Sequence, residues 1–200
     1  MYEVFQVWIE APDQPSETII GYMSSNINKI PAGCSYKLIS TSNYFSGDAR
    51  VTWVDVAGVI SEMHAEFPLI SGNFWDAIPV RLKSDLVRFY CLSKSGNAHY
   101  IDCDVEVLRF PGAFSRLRVP YFAITSGIAG NCDIYAINQN HSRDWFISAF
   151  YRLAAHTRLY FDTNGYADSS VVFYYVNSII GSSGVKSLSR LDMIHHSKNL

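Results

Sequence analysis

The sequence predicts an α/β fold, a mainly parallel central sheet flanked by helices. Two observations carry this. In the first half, short runs rich in β-branched and aromatic residues alternate with segments whose apolar residues recur at helical spacing, the order that builds parallel sheets. Of the 200 residues, 48% are hydrophobic, enough for one sizeable core, so residues 1–200 are read as a single compact domain.

Residues 2–9, YEVFQVWI, read as the first strand. APDQPS is a turn, and Ser16 is placed to cap a helix carrying Ile19, Ile20, Met23, Ile27 and Ile30. Ile30-Pro31 and the Ala-Gly-Cys after it end that helix. Residues 36–41 form a second strand and TSNYFSGD a loop. Residues 51–67 contain a helix, and SGNFWDAIPV is irregular. Ser84 is expected to cap the next helix, which carries Asp85, Leu86, Arg88, Phe89 and Leu92. A strand at 99–101 then leads into Asp102-Cys103-Asp104. Residues 105–110, 119–125 and 133–138 are further strand candidates. Residues 142–156 place Phe146, Ala149, Phe150 and Leu153 on one helical face, and 168–180 suits a helix or a buried strand.

Composition excludes several function classes. A formal net charge of −2 provides no basic field, so nucleic-acid binding is not the expected main role. No run of eighteen apolar residues predicts a membrane span. The amino terminus reads as a strand and not as a signal peptide. A cytoplasmic, bacterial protein is therefore expected, with an effector exported without a cleavable signal as the alternative. Cys34, Cys91, Cys103 and Cys132 are scattered with no CxxC pair, which predicts free thiols and no zinc site.

The chemistry concentrates between Ser84 and Glu106. Asp102 and Asp104, two apart, would share one side of a strand end, where their mutual repulsion favours a cation. Oxygen ligands suit Mg²⁺ or Mn²⁺. Asp85 and Arg88, three apart, project from one helical face. Parallel sheets of this class bind ligands at the carboxyl ends of their strands, which is where the paired acids would lie. Plainer readings stand beside these. Asp85 in a first helical turn would favour the helix dipole, Trp8 would be core, and His99 is expected to be packed. His64, His141 and His156 carry no pattern.

The segment SDLVRFYCLSKSGNAHYIDCDVE resembles the sugar-binding region of the DXD-motif glycosyltransferases. That GT-A group includes fungal Golgi mannosyltransferases, bacterial capsular-polysaccharide transferases and the glucosylating domains of large bacterial toxins. Ser84, Asp85 and Arg88 match its SDxxR helix, Tyr100 its turn, and Asp102 and Asp104 its DxD. The opening VFQVWIE is similar to the family's first strand and puts Trp8 at the nucleotide base. The late IHHS resembles the family's late His, His195 first and His196 in reserve. The family's paired glycines are here Gly96-Asn97-Ala98, and its Ser-Trp after the late His does not occur.

The resemblance implies a glycosyltransferase that moves a sugar from a nucleoside-diphosphate sugar, a UDP-sugar, to an acceptor with retention of configuration. It implies that Asp104 binds Mn²⁺ or Mg²⁺ directly and that Asp102 binds it through water or holds ribose and sugar hydroxyls. His195 would complete the metal site. Asp85 would accept from sugar hydroxyls, Arg88 would donate to a hydroxyl or the diphosphate, and Trp8 would stack on the base. The acceptor, a glycan, a lipid-linked sugar or a protein side chain, is left open. The alternative is a non-catalytic module, binding nucleotide sugar or a partner on a degenerate GT-A fold.

Overall fold

The computed structural model describes residues 2–9, 15–95, 98–108, 110, 121–124, 132–136, 143–168, 170, 171, 175 and 193–195. β1 (Tyr2–Trp8), α1 (Glu17–Lys29), β2 (Cys34–Ser40), β3 (Val51–Asp55) and α2 (Val56–Glu66) come first. A 3-10 turn at Pro68–Ile70 leads to α3 (Asn73–Ala77), α4 (Val80–Lys94), β4 (Ala98–Ile101) and β5 (Val105–Val107). β6 (Tyr121–Ile124), β7 (Cys132–Ala136), α5 (Arg143–Asn164) and β8 (Met193–His195) complete the described elements.

Six strands form one sheet in the order β3-β2-β1-β4-β7-β6, and β5 pairs with β8 apart from it. β3, β2, β1 and β4 run parallel, with Phe5 opposite Tyr100 and Val7 opposite Ile39. β7 joins β4 antiparallel and carries β6 on its far side. The expected α/β class with a mainly parallel sheet is what the chain adopts.

Alternation along β1 sorts its side chains between two cores, because successive residues face opposite sides of a sheet. Phe5 and Val7 join Leu82, Leu86, Phe89, Phe146 and Phe150 in a cluster under α2, α4 and α5. Val4, with Tyr36 and Leu38 of β2, packs instead on Ile19, Met23 and Ile27 of α1. The sheet is thus covered on both faces, as parallel sheets require.

Ser16 caps α1 as expected, its hydroxyl accepting from the Ile19 N–H at 3.3 Å, and Ile30 ends it. Other expectations need correction. Residues 51–55 are a strand, and the helix begins only after Asp55, whose carboxylate accepts from the Ala57 N–H at 2.9 Å. SGNFWDAIPV contains the short helix α3. Ser84 does not cap α4. That helix starts at Val80, directly after Pro79, because the residue before a proline is pushed out of the helical region while proline itself suits a helix start. Asp85 therefore sits beyond the first turn, and the dipole reading of it falls. Of 105–110 only 105–107 is strand. α5 runs on to Asn164, where Gly165 takes a left-handed φ of 75° that most side chains resist. Most of 168–180, together with Gly96, Asn97 and His196, lies outside the described residues.

Candidate functional site at the ends of β1 and β4

From β1 the chain builds β2 and β3 on one side, and β4 takes the other. The carboxyl ends of β1 and β4 therefore flank the point where strand order reverses, the place where open α/β sheets leave a crevice for ligand. Trp8 ends one strand and Asp102 follows the other.

α4 supplies the next layer. Leu82, Leu86 and Phe89 anchor its apolar stripe, which turns Asp85 and Arg88 inward beneath the strand ends. Arg88 Nη2 donates to Asp85 Oδ1 at 2.7 Å, and Nη1 donates to Asp102 Oδ1 at 2.9 Å. Their side chains are only 12% and 9% exposed for Arg88 and Asp85, and 22% for Asp102, so solvent screens these pairs weakly. The Tyr100 hydroxyl donates to the same Asp102 oxygen at 2.5 Å, and the guanidinium lies over the Tyr100 ring at 5.3 Å. Burial first and the Asp102 carboxylate second push the Tyr100 phenol far above its usual range, so it remains a donor.

The paired acids do not lie in a strand. β4 ends at Ile101, and the Val105 N–H donates to the Asp102 carbonyl at 3.1 Å, closing a tight turn over 102–105. Shared strand-face geometry, the expectation from their spacing, is thereby replaced by a turn that displays both acids. Burial first, and then the carboxylates of Asp102 and Asp104, push the thiol of Cys103 well above its usual range.

β5 leaves that turn and pairs antiparallel with β8, which sets His195 opposite Val105. Such partners have Cα atoms about 4.5–5.5 Å apart. The backbone of His195, far away in sequence, thus runs beside the residue following Asp104. Trp8, half-buried, packs on the α1 side of the sheet, and its buried Nε1 has no hydrogen-bond partner among the described residues. His99 is packed, as expected, and burial lowers its pKa to about 3, so it is neutral. His64 stands edge-on to Trp75 at 4.7 Å, and His156 stacks on Tyr175 at 6.1 Å.

Among the described residues no cluster of three or more His, Cys, Asp or Glu side chains is arranged to hold a metal. The carboxylates near the turn nevertheless have the charge and the donor atoms that suit a divalent ion. Asp85, Asp102 and Asp104 bring three negative charges and Arg88 one positive, a formal charge of −2 that one such ion would cancel. The carboxylate oxygens are hard donors of the kind Mn²⁺ and Mg²⁺ take.

Two contributors escaped the sequence reading. Gln6 Nε2 donates to the Asp102 carbonyl at 3.0 Å while its Oε1 accepts from the Tyr36 hydroxyl. Asn26 Nδ2 donates to the Val105 carbonyl, and its Oδ1 accepts from the Val107 N–H, both at 2.8 Å. A signal existed for Asn26, an amide falling on the Ile19, Met23, Ile27 and Ile30 stripe of an otherwise apolar helix face.

No protein-family model matches the sequence, and no curated protein matches it. Solved structures do. The PaToxG glycosyltransferase superposes with a TM-score of 0.56 at 13% identity, covering 90% of this chain and 69% of that one. The glycosyltransferase GlyE of Streptococcus pneumoniae TIGR4 gives 0.58 at 12% identity, with 94% of this chain matched to 46% of its own. Mouse xyloside xylosyltransferase 1 gives 0.51 at 12% identity, with 97% and 96% covered. The chain thus spans less than half the length of GlyE and nearly all of the mouse enzyme. At such identities the likeness is one of architecture, and with the strand order and the covered parallel sheet it establishes that this chain has the GT-A fold of the glycosyltransferases.

Proposed function

We propose that residues 1–200 form a glycosyltransferase domain that takes a sugar from a nucleoside-diphosphate sugar, a UDP-sugar, with the help of Mn²⁺ or Mg²⁺ and with retention. The observation that carries this is the network Asp85–Arg88–Asp102–Tyr100, buried at the strand-order reversal of a GT-A fold.

Each residue has a part that follows from its surroundings. Arg88 bonds both Asp85 and Asp102, so it fixes two acceptors in one orientation, and sugar or ribose hydroxyls would donate to carboxylates already held still. Tyr100, held protonated, keeps Asp102 from turning away. Asp104 would hold the ion directly, Asp102 would bind it through water, and His195, whose backbone pairs opposite Val105, would complete the site. When bound, the ion would neutralise charge on the departing diphosphate as a Lewis acid. Trp8 would flank the base at the end of β1. In a front-face reaction the leaving diphosphate takes the acceptor's proton, so no side chain is assigned as nucleophile or base.

Thermal shift with UDP, UDP-glucose, UDP-galactose and UDP-GlcNAc, each with and without Mn²⁺, tests the reading on wild type and Asp104→Asn. A ligand at a hundred times its dissociation constant adds about 2.7 kcal/mol. Stabilisation by one UDP-sugar that needs Mn²⁺ and vanishes in the variant is expected. Equal stabilisation of both proteins would refute the metal assignment. No shift with any UDP compound would refute the donor assignment, and binding without turnover would leave a non-catalytic module.

A further inference from the structure

We infer that Gln6 and Asn26 are positioning residues that hold the acidic turn from its two ends, so that Asp102 and Asp104 present a preformed site. This rests on the donor-site reading above and adds to it two residues that touch no donor group themselves.

Both amides are fully buried. A buried amide is costly unless its groups are paired, and here each one bonds through both its nitrogen and its oxygen. Gln6 reaches the first residue of the turn, bonding the Asp102 carbonyl, and is itself oriented by Tyr36 from the neighbouring strand. Asn26 reaches the far end. The Val105 carbonyl and Val107 N–H that it bonds flank Glu106, so its amide serves β5 as the peptide of an adjoining strand would. A two-stranded ribbon alone is marginal, and β5 with β8 is such a ribbon. Asn26 supplies it with a third partner. Between the two amides, the Cys103 thiol donates to the Val7 carbonyl at 3.4 Å. The backbone on both sides of Asp104 is thereby tied to β1 and α1, and Asp104 itself is left partly open to solvent.

The arrangement separates a rigid frame from the groups that meet ligand. Residues that orient metal-binding side chains from behind typically alter metal affinity about 10–100-fold when changed. Loss of either amide removes a bond that holds one end of the turn and lets the carboxylates wander, which weakens ion binding.

The test titrates Mn²⁺ alone into wild type, Asn26→Ser, Gln6→Met and Met23→Ala, following free ion by electron paramagnetic resonance and backbone hydrogen exchange over 102–107. Met23→Ala loosens the apolar cluster that Met23 shares with Cys103 and Val105 while leaving both amide bonds to the turn in place. The expected result is a Mn²⁺ dissociation constant raised about 10–100-fold in Asn26→Ser and in Gln6→Met, with faster exchange at 102–107, and neither effect in Met23→Ala. Wild-type binding with unchanged affinity in the two amide variants overturns the inference alone. An equal loss in Met23→Ala also overturns it, since general loosening would then explain the effect. Absence of Mn²⁺ binding by wild type overturns the metal reading and the inference together. Either amide variant decides the matter if the other does not fold.

Discussion

Arg88 of α4 and Asp102 at the end of β4 meet through Nη1 and Oδ1 at 2.9 Å, and the same guanidinium holds Asp85 at 2.7 Å. One cation therefore serves two carboxylates. Replacing it with Met would leave two acids close together in a poorly solvated place, and breaking a buried ion pair costs about 3–5 kcal/mol, less where a partner keeps some solvent. Arg88→Met is expected to lose about 2–4 kcal/mol in urea denaturation. Arg88→Lys should recover only part, since an ammonium cannot reproduce the fork that spans both acids. Full recovery by Lys would mean that the two contacts are not simultaneous.

Tyr100 offers a gentler probe. Tyr100→Phe keeps the ring under Arg88 and removes only the hydroxyl on Asp102. Hydrogen bonds to charged groups contribute about 1.5–3 kcal/mol. If about 1.4 kcal/mol of that orientation is carried into the transition state, donor hydrolysis falls about tenfold. Unchanged hydrolysis would show that Asp102 is held well enough by Arg88 and its carbonyl contact to Gln6.

Acid should destabilise the fold through His99. Its folded pKa, lowered by burial to about 3, lies below the ordinary value near 6.5. The unfolded chain therefore binds a proton in that interval that the folded chain refuses. Stability is full above pH 6.5 and falls with pH at about 1.4 kcal/mol per unit, so roughly 2 kcal/mol is lost between pH 6.5 and 5. His64, lowered by burial with Asp76 opposing, adds in the same direction. Asp48, held at about 2 by Arg50, acts only below this window. Chemical denaturation of His99→Leu across pH 5–7 should show a clearly shallower slope than wild type. An equal slope would assign the acid sensitivity elsewhere.

Two neighbouring polar contacts between α1 and β5 should differ sharply. Glu106 accepts from Ser25 and from Lys29, each at 3.0 Å, but both ends of the ion pair are partly exposed. Exposed pairs contribute about 0–1 kcal/mol, so Glu106→Gln should scarcely change the melting temperature. Asn26→Ser strands a buried carbonyl and a buried N–H, at about 1–3 kcal/mol for each unsatisfied group. A Glu106→Gln loss as large as that of Asn26→Ser would contradict the burial argument.

Local chemistry made much of this protein legible from its sequence. Alternation in YEVFQVW, the Ser16 cap and the apolar stripes of 19–30 and 142–156 are written in spacings of two to four residues, and those elements formed. Asp85 and Arg88 share a helical face for the same reason. Where neighbours compete, local reading failed. Pro79 and not Ser84 set the start of α4, and a turn closed by Val105 replaced the strand end expected at Asp102.

What spacing could not express was contact between distant segments. Nothing near Asp102 in sequence announces Arg88 as its partner, Gln6 at its carbonyl, or Asn26 beyond the turn. Those pairings exist because β4 lies beside β1 with Tyr100 opposite Phe5, and because α1 crosses the same face of the sheet that Gln6 occupies. The sequence by itself determined which residues carry charge and which of them share a helical or strand face, since side-chain type and local period are local properties. The tertiary structure alone decided which of them meet, because burial and hydrogen-bond satisfaction are settled only when the whole sheet has closed around them.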